Sequence, residues 1–238
     1  MRTAIENNEL ELLYQPIISS TDDKIICVEA LARWRHKTYG LLSADSFFPL
    51  ARNAALSSSS ANGRCAALAR MPCAGPASRS PSTCRRFNFG KRICRYRQSH
   101  SDRVRIDPQR VELELTEGVI IADADLAEHS MINLRALGVH MVLDDFGTGY
   151  SSLIYLRRFA FDKIKIDRSF LESMEDSGES VIIVRSIVDL GRSLGLRVTA
   201  EGVETEEQAR LLRSIDCDEF AGLFVRAPDV GGRHRPAP

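Results

Sequence analysis

The sequence lacks most features that would assign a protein to a compartment or a cofactor at sight. Its 32 basic and 32 acidic residues cancel, so no overall field draws it to a polyanion or a membrane surface. No apolar run approaches the roughly 18 residues of a spanning helix, and the N-terminus lacks a basic stretch followed by an apolar block. These absences lead to the expectation of a cytoplasmic protein with no membrane partner. The six cysteines (27, 65, 73, 84, 94 and 217) form no CxxC pair, which signals neither a zinc site nor a disulfide framework. No GxGxxG turn follows a strand-like run, so an open dinucleotide-binding sheet has no support.

What is present is a length of 238 residues and an apolar content of 44%, enough for the core of one barrel-sized domain. The stretch from His140 to Ser152 (HMVLDDFGTGYSS) organises the rest. Met141, Val142 and Leu143 read as a buried strand that ends in two adjacent carboxylates, Asp144 and Asp145, before a glycine-bearing loop. Neighbouring residues at a strand end point to opposite sides, so one acid can face inward while the other follows the rim. Two acids there are costly unless a cation lies between them. A divalent metal would satisfy both; a turn cap at Asp144 with a solvated Asp145 is the alternative.

The same pattern recurs. Val111 to Glu117 closes on an acid, Lys163 to Asp167 closes on Asp167, and Leu196 to Glu204 carries Glu201 and Glu204 where its apolar part ends. Near the start, Lys24 to Leu31 holds Glu29. Between these runs, Asp125 to Leu137 and Ser180 to Leu194 space their apolar residues as helices do. Strands alternating with helices, with polar residues gathered at strand ends, predict an α/β barrel whose site lies at the C-terminal rim.

Tyr14-Gln15-Pro16, Glu29-Ala30-Leu31 with Arg33, the ELTE ending at Glu117, DDFGTGYSS, Lys165-Ile166-Asp167 and Ala200 to Glu204 together resemble the EAL family of bacterial cyclic di-GMP phosphodiesterases. The likeness covers most of residues 5 to 56 and 106 to 220. It implies a TIM-like barrel that binds two Mg²⁺ or Mn²⁺ ions and hydrolyses cyclic di-GMP to the linear dinucleotide. By resemblance, Glu29, Glu117, Asp144 and Asp145 are metal ligands, and Glu201 is a ligand or base near the attacking water. Lys165 would hold water or phosphate charge, with Gln15 and Arg33 contacting substrate. Glu204 would order the loop from Phe146 to Ser152, which also contributes to dimerisation in the family, so a homodimer is a possible assembly. Family members often carry sensory or cyclase domains ahead of this one, and no such input domain is expected within this sequence.

Two segments depart from the pattern. From 57 to 105 hydrophobic periodicity vanishes, giving way to serine, proline and glycine and then to Arg85, Arg86, Lys91, Arg92, Arg95 and Arg97 around Phe87, Phe89 and Tyr96. At face value this is a linker and a nucleic-acid-binding patch. It reads better as translated out of frame. With permitted codons, a shift turns Ala61 to Ala69 into GEWALRSAC and Pro81 to Cys94 into VNLPPIQFRKADL, which resemble the helix the family places after its second strand and the family's third strand with its metal-binding asparagine. The tail from 221 to 238 behaves likewise: one base later, Ala221 to Pro228 gives QGYLFAR. As written, Arg85 lies near the asparagine position and Ala221 replaces an active-site glutamine. The expectation is therefore a single domain over 1–238 whose third-strand region and C-terminal strand are disrupted. Phosphodiesterase activity should be impaired, and an inactive cyclic di-GMP-binding module or a non-functional product are the alternatives. No nucleic acid polymer is expected as a partner.

Overall fold

A computed structural model describes residues 9–43, 107–148, 153–174 and 178–222, the backbone of 84–88, and the single positions 4, 7 and 46. Nine strands form one sheet: β1 (Leu10–Ser19), β2 (Ile25–His36), β3 (Gly40–Ser43), β4 (Cys84–Asn88), β5 (Val111–Thr116), β6 (His140–Phe146), β7 (Lys163–Ile166), β8 (Arg197–Glu201) and β9 (Glu219–Ala221). Their order is β1-β9-β8-β7-β6-β5-β4-β2-β3, and β1 also pairs with β2, which closes a ring of strands with β3 as a hairpin extension. From β2 through β9 the ring neighbours run parallel; β1 is antiparallel to both β2 and β9. This is a TIM-like barrel with one reversed strand.

The helices are α1 (Glu117–Ala122), α2 (Ala124–Ala136), α3 (Leu153–Arg158), α4 (Arg168–Glu172), α5 (Gly178–Ser193) and α6 (Glu206–Ser214). Local chemistry sets their starts. Asp123 and Asp167 accept hydrogen bonds from the free amides of Leu126 and Ser169, and Thr205 forms a capping box with Gln208. The apolar faces then cover the sheet: Ala127, Met131 and Leu134 of α2, and Val184, Ile187 and Val188 of α5, join Met141, Leu143, Ile164 and Val198 in one core. At Gly191 the backbone of α5 comes so close to β8 that an added Cβ would lie 2.4 Å from Val198 Cγ2, so only glycine keeps this helix at its height on the barrel.

The third-strand region, although anomalous in sequence, holds β4, which pairs with β2 and β5. Strand pairing uses main-chain donors and acceptors that every non-proline residue carries, so an unrelated extended segment can fill the gap. The closing strand β9 pairs with β8 and β1; its Glu219 and Phe220 lie in the part that matches the family, and its last residue, Ala221, opens the anomalous tail. The rest of 57–105, and 223–238, lie outside the described residues.

Candidate functional site

The C-terminal ends of the parallel strands collect a buried set of opposed charges. Lys165 of β7 is at its centre. Its Nζ lies 3.0 Å from Glu114 Oε1 on β5, 3.1 Å from Asp144 Oδ1 on β6, 3.6 Å from Glu29 Oε2 on β2 and 2.5 Å from Glu201 Oε1 on β8. Strand alternation explains the convergence. Every second residue faces the barrel axis, so Glu114, Lys165 and Asp144 point inward while Leu113, Leu115, Ile164 and Leu143 join the apolar packing between sheet and helices.

Electrostatics keeps the lysine charged. Burial, the largest influence, works against the ammonium, but Asp144, Glu114, Glu201 and Glu29 together outweigh it and hold Lys165 well above the usual lysine range. Glu201 lies at the more open edge of this set. Its side chain retains 23% exposure. Burial of the carboxyl, aided by the negative charge of Asp144 and Glu29 and opposed by Lys165, raises its pKa to about 7. A carboxylic acid titrating there can give or take a proton near neutral pH.

This has a measurable consequence. Glu201 binds a proton in the folded protein between its ordinary value of 4.5 and about 7, where the unfolded chain does not. Stability of the metal-free protein should therefore fall as pH rises through that window. Glu201→Gln should flatten the slope in urea titrations run with chelator from pH 4.5 to 7.5, and an unchanged slope would show that another group is responsible.

Glu117 and Asp145 lie beside this cluster, at the ends of β5 and β6. Glu117 opens α1, and its Oε1 accepts a hydrogen bond from the Gly147 amide at 3.5 Å, tying the strand end to the loop after β6. Asp145 adopts a left-handed backbone (φ 55°), and its amide donates to Asp144 Oδ1 at 3.1 Å. Gln15 stands opposite Glu29 in the β1–β2 register. Arg33 lies nearer the β2 end, its Nη1 donating to Ala32 O at 3.0 Å. The Glu204 amide donates to Gln208 Oε1 at 2.8 Å. The loop it was expected to order runs through 149–152, outside the described residues.

Glu114 does not stand out in the sequence, because its run closes on a later acid, Glu117. The signal was there: in VELELTE, Glu112 and Glu114 share a face, and Glu117 falls past the strand. The position near Arg85 is also revised, since the β4 residue in register with Glu114 is Asn88.

The donor set, being carboxylate oxygens, is chemically suited to a hard divalent cation. Among the described residues, however, no three acids, imidazoles or thiols stand in metal-ligating geometry around one point; the acids close on Lys165 instead.

The EAL domain family model matches residues 1–228, and the chain belongs to that family. Cyclic di-GMP phosphodiesterase NbdA of Pseudomonas aeruginosa is 36% identical over 96% of this chain and 30% of its own length. The bifunctional diguanylate cyclase/cyclic di-GMP phosphodiesterase MucR of the same organism is 34% identical over 96% of this chain and 34% of its own. The chain thus spans about a third of these relatives. A phosphodiesterase structure of MucR in complex with cyclic di-GMP superposes with a TM-score of 0.79 at 33% identity, covering 95% of this chain and 94% of that one. Klebsiella pneumoniae BlrP1 in complex with manganese and cyclic di-GMP gives 0.71 at 25% identity, covering 90% and 55%. No described helix is long and apolar enough to cross a membrane.

Proposed function

We propose that this chain is a cyclic di-GMP phosphodiesterase domain of weakened activity. The observation that carries the reading is the convergence of Glu29, Glu114, Asp144 and Glu201 on Lys165 at the C-terminal rim of the barrel. These carboxylates would hold two divalent ions, Mg²⁺ or Mn²⁺. In this reading Glu114 takes the ligand role first given to Glu117, which instead secures the loop at Gly147; Asp145 remains a ligand candidate at the same strand end. When bound, such ions lower the pKa of a water and neutralise charge on the phosphodiester. Glu201, at the more open edge of the cluster, takes the proton of the attacking water. Lys165 holds negative charge on the phosphate, and the guanidinium fork of Arg33 and the amide of Gln15 orient the dinucleotide.

Weakening follows from Ala221. It pairs in register with Glu201 on β8 and Ile17 on β1, at the level of the acid cluster, yet carries no polar group. Loss of one preorganised polar contributor typically costs about 10² to 10³ in turnover. The same position favours a second reading, a module that binds cyclic di-GMP without cleaving it. Ala221 opens the tail proposed to be out of frame, as is 57–105, so a damaged gene is the proposed origin of both anomalies. A cytoplasmic location and a possible homodimer complete the proposal.

The test is incubation of the purified protein with cyclic di-GMP and Mg²⁺ or Mn²⁺, separating the linear product by chromatography, with calorimetry in Ca²⁺ for binding. Slow cleavage abolished by chelator is the expected result. Binding without cleavage selects the second reading, and neither binding nor cleavage removes both.

A further inference from the structure

Beneath the acid cluster the barrel interior holds a second charged layer. Lys163, two residues before Lys165 on β7, is fully buried, and its Nζ donates to Glu112 Oε1 at 3.0 Å and Oε2 at 3.2 Å on β5, and to Glu219 Oε2 at 2.6 Å on β9. On β8, Thr199 Oγ1 donates to Glu219 Oε2 at 2.8 Å and Arg197 Nη1 to Glu219 Oε1 at 3.1 Å. In the ring, β5, β7 and β9 alternate with β6 and β8. Alternate strands supply the members of one interior layer of such a barrel, so Glu112, Lys163 and Glu219 share a level.

One pleat repeat further along the same strands, roughly 7 Å toward the rim, come Glu114, Lys165 and Ala221. Every strand clasped by Lys163 therefore carries a member of the rim layer two residues on. A cavity of about 300 Å³ opens on the lower layer from the opposite end, lined by Ile26, Cys27, Gln109 and His140 among others, so this layer faces away from the rim. Among the described residues, Lys163 and Arg197 both ion-pair with Glu112 and Glu219, which ties β5, β7, β8 and β9 together within this layer. Apolar side chains could fill the same space, but an ammonium hydrogen-bonded to carboxylates on the next strand but one to either side favours one relative height of the three.

We propose that Lys163 is a positioning residue: by locking β5, β7 and β9 at one relative height, it sets the spacing at which Glu114 and Lys165 meet at the rim. The inference rests on the reading of the rim cluster as a divalent-metal centre. The experiment compares Mn²⁺ affinity and the EPR spectrum of bound Mn²⁺ in the parent, in Lys163→Met and in the triple variant Glu112→Gln/Lys163→Met/Glu219→Gln, with folding checked by circular dichroism in chelator. The triple variant removes the two buried carboxylates together with the ammonium, so it keeps the test open if Lys163→Met alone does not fold. A folded variant should bind Mn²⁺ at least about ten-fold more weakly, with a broadened spectrum. Parent-like affinity and spectrum in a folded variant overturn the positioning role while leaving the metal centre standing. A parent that binds no Mn²⁺ removes the metal-centre reading, and the positioning role with it.

Discussion

In chelator, Lys165→Met should lower unfolding free energy by about 3–5 kcal/mol, the cost of deleting one partner of a buried ionic group. The residue is a cation shared by Glu29, Glu114, Asp144 and Glu201, and the first three of those acids are buried as the lysine is. Methionine matches the stem in volume and removes only the charge and its hydrogen bonds. The acids left behind must then share protons or stay ionised against one another, and both options raise the energy of the folded state. Because the folded-state pKa of Lys165 is raised, its stabilisation is present throughout the neutral range and is lost only as pH rises past that elevated value.

The variant should also become strongly dependent on divalent ions. An ion that binds only the folded state stabilises it in proportion to the logarithm of its concentration over its dissociation constant, and Mn²⁺ would now meet the acids without a competing ammonium. Urea titrations followed by circular dichroism, with chelator and with millimolar Mn²⁺, measure both effects. Equal midpoints for parent and variant in chelator would show that Lys165 is not what balances the acids. A midpoint insensitive to Mn²⁺ would count against the metal-centre reading.

Restoring the two anomalous segments to the frame-shifted readings should raise turnover of cyclic di-GMP at least about 100-fold over the chain as written. The rim acids Glu29, Glu114, Asp144 and Glu201 already stand together, so no change is needed there. Repair supplies a glutamine at 221, in register with Glu201, and a longer closing strand after Phe220. It also supplies an asparagine in a better-formed third strand, although β4 as written already ends in Asn88 beside Glu114. For that reason Ala221→Gln alone should recover a large part of the gain. In the repaired protein Asp144→Asn should then reduce metal affinity and turnover together, because a neutral amide replaces an anionic donor. Coding DNA whose shifted frames do not contain GEWALRSAC, VNLPPIQFRKADL and QGYLFAR would remove the premise. A repaired protein that folds and binds Mn²⁺ but leaves cyclic di-GMP intact would place this chain with the binding modules.

The sequence by itself determined the elements and most of the rim. Alternation in VELELTE, HMVLDDF and KIKID is local, and the period of two assigns each side chain to a face without reference to any partner. Strand ends at Thr116, Phe146 and Ile166 therefore fell within a residue of expectation. Tertiary structure decided what is non-local. Whether Glu114 or Glu117 meets Lys165 depends on where β5 ends relative to β7 across an intervening strand, a register that no local pattern encodes. The pairing of Lys163 with Glu112 and Glu219 joins residues 51 and 56 positions apart, and in sequence all three read as ordinary surface charges. The third strand shows the limit most directly. Composition argued against any strand in 57–105, yet β2 and β5 each present a row of main-chain donors and acceptors, and Cys84–Asn88 meets both because backbone pairing asks little of side chains.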